Sequence, residues 1–570
     1  MKAKSSGGPP EPQSRKLRII AQDPSVHGAT GGKILTALVP VPREDLEAGP
    51  HGYRVHVIDY DSSTQTLYKP HQIDGENDGF EKAADSELLA NPGFHAQNVY
   101  AIVMRTLGAF EFALGRRVSW GFGGHQLQIA PHAFAVANAF YSRGDQALLF
   151  GYVGGAKDRV FTCLSHDVVA HETTHALLDG LRERYMDPSS TDQFAFHEGF
   201  ADVVALLSVF ALEEVVGALL EEPPKSKDAS GMISIAKTTI EALENSALLG
   251  LGEQIGAAMP DSRGNALRRS VQLQPRKGIL QEEEFEEPHR RGEVFVAAMM
   301  KSFVHVWHKR ISQLGTVAPG KLNRGRVVED GAKAARHLMT MAIRALDYCP
   351  PTGLTFKQYL TALIAADQDL QPDDQTYNYR ETIVKQFAEY GIDCSQPCPW
   401  RVAETEQANL VYSRTHFEAM QRDPDEVFRF IWENRATLGL NVQAYAKVLS
   451  VRPCIRQSSD GFILRETVVE YHQILNLTRG EVAAAIGRET TEKDEDKEFR
   501  LYGGGTLIFD EYGRLKYHAL NPIPDLKKDK ELVAQLWDSF QVSGASALSQ
   551  LHLTRATALP ALASKGENEW

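Results

Sequence analysis

Cysteine is scarce in this chain: five residues of 570, namely Cys163, Cys349, Cys394, Cys398 and Cys454. So few, and an odd number, exclude a disulfide framework as the organising device and fit a reducing compartment. Cys394 and Cys398 have no second pair nearby and read as ordinary loop thiols. Long apolar runs are missing too. The most apolar helical stretch, Val203 to Leu212, ends at Glu213 and Glu214, short of the ~20 residues a membrane span needs, so no membrane role is expected. The basic start, MKAKSSGGPPEPQSRKLRII, lacks the apolar segment of a secretory signal. A cytoplasmic location is therefore expected, with non-classical secretion left open. An excess of positive charge is also absent: 74 acidic residues face 61 Lys and Arg, a net charge of -13. Such a surface repels phosphate backbones and speaks against a nucleic-acid partner. No internal repeat is found.

What is present fits a soluble globular protein, with 43% hydrophobic and 24% charged residues. The length implies two or three domains. Residues 17–180 read as a strand-rich part that ends in a helix bearing the motif below. Tyr53, Val55 and Val57 alternate with polar neighbours, as a half-buried strand does. His95 to Gly115 has helical spacing and ends on glycine. RVSWGFGG and FAVANAFYSRGDQALLFGYVGG read as strands with glycine-rich turns. Residues 181–395 read as helical, with helices over Phe196–Leu220, Glu293–Gln313, Val327–Tyr348 and Thr355–Asp367. Strands first and helices after give an α+β class in two lobes. Residues 400–545 break the pattern and read as an extra mixed domain, with a hairpin around Glu511–Gly513. A protein partner could engage 400–570. Disordered tails are expected at 1–16 and 546–570.

The chemistry concentrates in two short motifs. HETTH occupies 171–175, and on a helix positions i and i+4 share a face, so His171 and His175 can reach one ion. Glu172 between them stands where a general base for an activated water is needed. Two His and one Glu are too few to stand alone, so the flanks decide. DVVAHETTHALLDG places apolar residues on the opposite face, as a buried site helix requires. The second motif is FHEGFADVVALL. Glu198 and Asp202 are four apart in an otherwise apolar helix, where unpaired carboxylates would be costly. One can complete a three-ligand metal set, and the other can accept the free N–H of a ligand His.

These segments resemble the thermolysin-like zinc metallopeptidases, the gluzincins. DVVAHETTHALLD is similar to their active-site helix, Asp179 included, and HEGFAD to their E-x-x-x-D helix. The resemblance covers about 50–393 and implies a two-lobe thermolysin-like fold. It implies that His171, His175 and Glu198 bind zinc (Zn2+), that Glu172 is the base and that Asp202 orients His171. NAFY at 138–141 resembles the family's Asn-Ala-Phe-Trp edge strand, which makes Asn138 and Ala139 the expected holders of an extended peptide. ALRRS at 266–270 resembles the segment with the substrate-gripping Arg; Arg268 matches best and Arg269 competes. Tyr185 is placed near the family's oxyanion-donating Tyr, one residue off in spacing. PHRRGEVFVAAMM resembles the segment with the transition-state His, which implies that His289 faces the zinc site and that Glu284 orients it. Val168 and Leu267 are implied walls of a hydrophobic pocket. Asp167 stands at one calcium-binding carboxylate of the family, but its partner position holds Val209, so a paired-calcium site is not expected.

The expected function is therefore zinc-dependent endopeptidase, acting on peptide or protein substrates. Two rivals stay open at this point. One is a peptidase-like interaction protein that keeps zinc without turnover. The other is a zinc hydrolase of non-peptide amides.

Overall fold

Alternating apolar residues build a mixed sheet from the first third of the chain. The structure, a computed structural model, describes residues 14–24, 34–73, 78–155, 159–187, 189–220, 231–249, 270–394, 398–458 and 461–540. The sheet runs Val55–Val57, Leu127–Phe134, Ala147–Val153, Ala139–Ser142 in spatial order. Leu127–Phe134 is parallel to both neighbours. Ala139–Ser142 returns antiparallel along Ala147–Val153, which leaves it at the sheet edge. Behind the sheet lies the helix Pro92–Leu114. Asn91 caps it by accepting from Gly93 N, Pro92 opens it, and Gly115 closes it in the left-handed conformation.

Two expectations in this part need correction. Arg117 to Gly124 forms no strand. Its three glycines favour turns, and Trp120 is drawn inward, donating from Nε1 to the Arg54 carbonyl at 3.1 Å. The N-terminal tail is also shorter than expected, because Ser14–Lys16 already pair with Pro40–Pro42 in the Ser14–Ile20/Thr36–Pro42 ribbon.

From His166 onward the chain is mainly helical. The helices nearest the site are His166–Leu181, Thr191–Phe210 and Pro288–Ser312, with Arg324–Ala345 and Phe356–Leu370 packed around them. The apolar helix expected at Phe196–Leu220 is in fact two, Thr191–Phe210 and Glu213–Leu219, broken at Leu212. Ser190 sets the earlier start by accepting from Gln193 N at 3.0 Å. Thr191–Phe210 is the one helix among the described residues with the length and hydropathy to cross a membrane, yet 94% of that stretch is buried inside the protein.

The segment after 400 folds into the helix Pro424–Glu433 and a four-stranded antiparallel meander. Its strands are Tyr445–Gln457, Ile463–Thr478, Glu498–Phe509 and Leu515–Asn521. The last two form the expected hairpin, closed by Gly513 at φ 83°. The two faces of this sheet follow the period of two. Val468, Ile508 and Tyr517 join the core shared with the helices, whereas Val469, Leu507 and Phe509 pack on Val427, Phe430 and Ile431 of the Pro424–Glu433 helix. Buried charge crosses the same boundary. Arg116 and Arg456 both bond Asp347, and Arg456 also pairs with Glu466. The fold is α+β, and the 400–540 segment shares its main core.

Candidate metal centre

The His166–Leu181 helix places His171 and His175 one turn apart on one buried face. Their Nε2 atoms converge to 2.7 Å. The outer nitrogen of His171 fixes its tautomer. His171 Nδ1 lies 2.7 Å from Asp202 Oδ1, so its proton faces the carboxylate and Nε2 presents a lone pair. His175 Nδ1 lies 2.9 Å from His197 Nδ1, with the two rings stacked at 10°. Glu198 completes the set, its oxygens 3.8 Å from His171 Nε2 and 3.7 Å from His175 Nε2. The three ligand atoms all lie within 4.8 Å of one another. Two imidazole lone pairs and a carboxylate turned to one point suit a cation of the borderline kind that accepts nitrogen and oxygen.

Glu172 is buried on the same helix, and its Oε2 accepts the backbone N–H of Tyr141 at 3.1 Å. Tyr141 also donates its hydroxyl to Asp179 Oδ2 at 2.7 Å. Residues 172 and 179 are two turns apart, so one edge-strand residue holds the His166–Leu181 helix at two points of one face. Burial pushes the Asp179 carboxyl up, against the opposing pull of the Tyr141 hydroxyl and Arg143. Because the Tyr141 N–H turns away from the paired strand, the period of two turns the backbone groups of Ala139 the same way, toward the open edge. Asn138 Oδ1 accepts the Ala139 N–H at 3.0 Å, and Asn138 Nδ2 is buried with no hydrogen-bond partner among the described residues. The two expected substrate holders thus lie just before Tyr141, whose N–H bonds Glu172.

His289 comes to the centre across 114 residues of sequence. It stands in the first turn of Pro288–Ser312 with Nε2 4.0 Å from Glu198 Oε2. Two glycines allow that approach. A Cβ on Gly292 would meet the Ala195 carbonyl at 2.8 Å, and one on Gly199 would meet the Gly292 carbonyl at 3.0 Å. The helices can therefore pack backbone to backbone just beside Glu198.

Three expectations fare differently. Glu284 does not orient His289; it pairs with Arg290 at 3.1 Å and Arg276 at 3.6 Å. Glu287 takes the role, with Oε1 2.6 Å from His289 Nδ1, because as the N-cap of that helix it lies beside the ring. Burial works to raise the Glu287 carboxyl, but the bonds from His289 and the Arg290 N–H outweigh it and hold it at about 2. Tyr185 is no oxyanion donor in this geometry. It is fully buried, donates to the Pro350 carbonyl at 2.8 Å and packs edge-on against Phe196. Arg268, its competitor Arg269 and Leu267 lie outside the described residues. Val168 is buried, and Val209 contributes only an apolar side chain to its helix. Residues that sequence reasoning missed are His197, Tyr141 and Glu287. The first sits next to Glu198 in HEGFAD; the third is an acid at a helix start. Tyr141 acts on Glu172 through its backbone, which leaves no signature. No protein-family model and no curated protein matches this chain.

Proposed function

We propose that this chain is a zinc-dependent endopeptidase with the two-lobe, thermolysin-like arrangement, its sheet and helical parts meeting at the His166–Leu181 helix. The observation that carries the reading is the convergence of His171 Nε2, His175 Nε2 and Glu198 on one point, with Glu172 beside them, held by the sheet edge. When bound, zinc supplies Lewis acidity to the scissile carbonyl and to the attacking water.

The chain's own residues do the rest. An extended peptide adds to the open side of Ala139–Ser142, where the Ala139 carbonyl and the Asn138 amide hold its backbone. Glu172 takes the proton of the attacking water and passes it to the leaving amine. The Tyr141 N–H keeps that carboxylate in place while it does so. His289 donates from Nε2 to the oxygen that becomes negative, and Glu287 fixes the ring through Nδ1. Asp202 holds His171 in the tautomer that leaves Nε2 bare, and His197 meets the outer nitrogen of His175.

A quenched-fluorescence peptide or casein assay with a zinc chelator tests this. Hydrolysis should stop with the chelator and return with added zinc. Turnover that ignores the chelator, or zinc binding without any peptide hydrolysis, would defeat the reading.

A further inference from the structure

A second cluster in the fold has the same geometric signature as the first and takes no part in the proposed hydrolysis. His95 Nδ1 and His132 Nε2 face each other at 2.8 Å, both rings buried. The sulfur of Cys163, also fully buried, lies within 4.8 Å of both nitrogens. The outer nitrogens again decide the tautomers. His95 Nε2 is 3.0 Å from the Leu89 carbonyl, which can only accept, so that nitrogen carries the proton. His132 Nδ1 is 2.7 Å from Asp59 Oδ2, and Asp59 Oδ1 also accepts the His132 backbone N–H at 3.1 Å. With both protons turned outward, two lone pairs and a thiol face one point. Neutral imidazoles in these tautomers cannot hydrogen-bond to each other, and a carboxylate behind a ligand imidazole is a recurring support of bound zinc.

The geometry points to a second zinc site in this chain, made by His95, His132 and Cys163, with Asp59 orienting His132. Its location gives it a task. His95 stands in the first turn of the Pro92–Leu114 helix, His132 in the Leu127–Phe134 strand, and Cys163 three residues before the metal-centre helix begins. An ion there ties helix and sheet to the start of the His166–Leu181 helix. Asn98 already braces that junction, donating to the Cys163 carbonyl at 2.9 Å and accepting from Ile20 N at 2.9 Å. Phe161 packs on both rings, with centroids 4.7 Å from His95 and 5.0 Å from His132, and Tyr68 lies 4.9 Å from His132, so the site is walled from solvent.

Charge favours a dication. Binding breaks the Cys163 S–H bond, forms a metal–sulfur bond and releases one proton to solvent. The thiolate and the Asp59 carboxylate together carry two negative charges, which a divalent ion balances in a buried setting. A soft sulfur with two imidazole nitrogens is a zinc-type donor set and a poor one for magnesium or calcium.

Cobalt(II) tests the site, because only a sulfur ligand gives a thiolate-to-cobalt charge-transfer band in the near ultraviolet. The proposed hydrolytic centre has no sulfur, so the two sites are read separately and either can fail alone. The full-length chain, stripped and reloaded with cobalt, should show the band. It should persist in His171→Ala, which removes the other centre, and vanish in Cys163→Ala. Zinc content should fall by one ion per chain in each of those variants. Absence of the band in the wild type, or its persistence in Cys163→Ala, overturns the assignment. Should Cys163→Ala fail to fold, zinc-edge X-ray absorption of the wild type decides. Sulfur scattering at half the zinc supports the site, and nitrogen and oxygen alone refute it.

Discussion

Asp347 couples the 400–540 segment to the rest of the molecule, and its removal tests that coupling. Its side chain is 1% exposed. Arg116 Nη2 donates to Oδ1 at 2.7 Å, and Arg456 Nη2 to Oδ2 at 2.5 Å. Arg116 follows the Pro92–Leu114 helix, Asp347 follows Arg324–Ala345, and Arg456 lies in a strand of the meander. Asp347→Ala would leave two buried guanidinium groups short of a counter-charge. Breaking one side of a buried ion pair costs about 3–5 kcal/mol, a large share of the ~5–15 kcal/mol that holds a typical protein folded. For a chain of this size the melting temperature should drop by roughly 2–5 °C. It should do so in one transition, because the two parts share a core. Acid should act in the same direction. Burial raises the Asp347 carboxyl, but Arg116 and Arg456 outweigh it and hold the group well below the usual carboxylate range. Its contribution is therefore complete above the ordinary carboxylate pKa of about 4 and is lost as pH falls from there toward the depressed value. Calorimetry of the mutant reads the outcome. If the 400–540 segment melts early by itself while the remainder melts at the wild-type temperature, the coupling described here is wrong.

Three further outcomes are expected. Glu287→Gln should lower kcat/KM about 10-fold, the scale of losing an orienting partner, while Glu284→Gln leaves it unchanged; the reverse order in a peptide assay would reinstate Glu284. Tyr185→Phe should cost about 1–3 kcal/mol in urea unfolding, because the buried Pro350 carbonyl loses its donor, with kcat/KM unaltered; a drop in kcat/KM without a stability change would return Tyr185 to the catalytic group. Burial lowers His337 and His518 to about 4 and His472 to about 3, so the folded state keeps them neutral. The unfolded chain binds those protons near pH 6.5, so stability is full above 6.5 and falls toward pH 4, by up to about 1.4 kcal/mol per unit for each group. A melting temperature that stays flat from pH 7 to about 4.5, with chelator present throughout, would contradict those burials.

How much of this could be read from the sequence depended on the range of the physics involved. The pairs 171/175 and 198/202 are local: four residues is about one helical turn, and the sequence carries that period openly. His289 was reached only through the family resemblance of PHRRGEVFVAAMM, since 114 residues separate it from His175. Tyr185 was misread because the direction of a hydroxyl is set by what surrounds it, here the Pro350 carbonyl 165 residues on. Glu284 and Glu287 sit in one acidic run, and only cap geometry separates them. The Arg117–Gly124 stretch has strand-like residues, but its glycines and the inward Trp120 prevail. The role of the last 170 residues was illegible for a related reason. Asp347 meets Arg116 and Arg456 across 231 and 109 residues, and such pairs leave no periodic trace.

The central claim, that Glu172 is a base beside a metal held by other residues, is tested most directly in Glu172→Gln. The amide keeps an oxygen for the Tyr141 N–H, so the helix and strand stay clamped. Zinc content and peptide turnover measured on the same preparation give the answer. Zinc equal to wild type with kcat/KM reduced by about 10²–10⁴ is expected for loss of a general base. Turnover near wild type, or zinc lost together with activity, would contradict it.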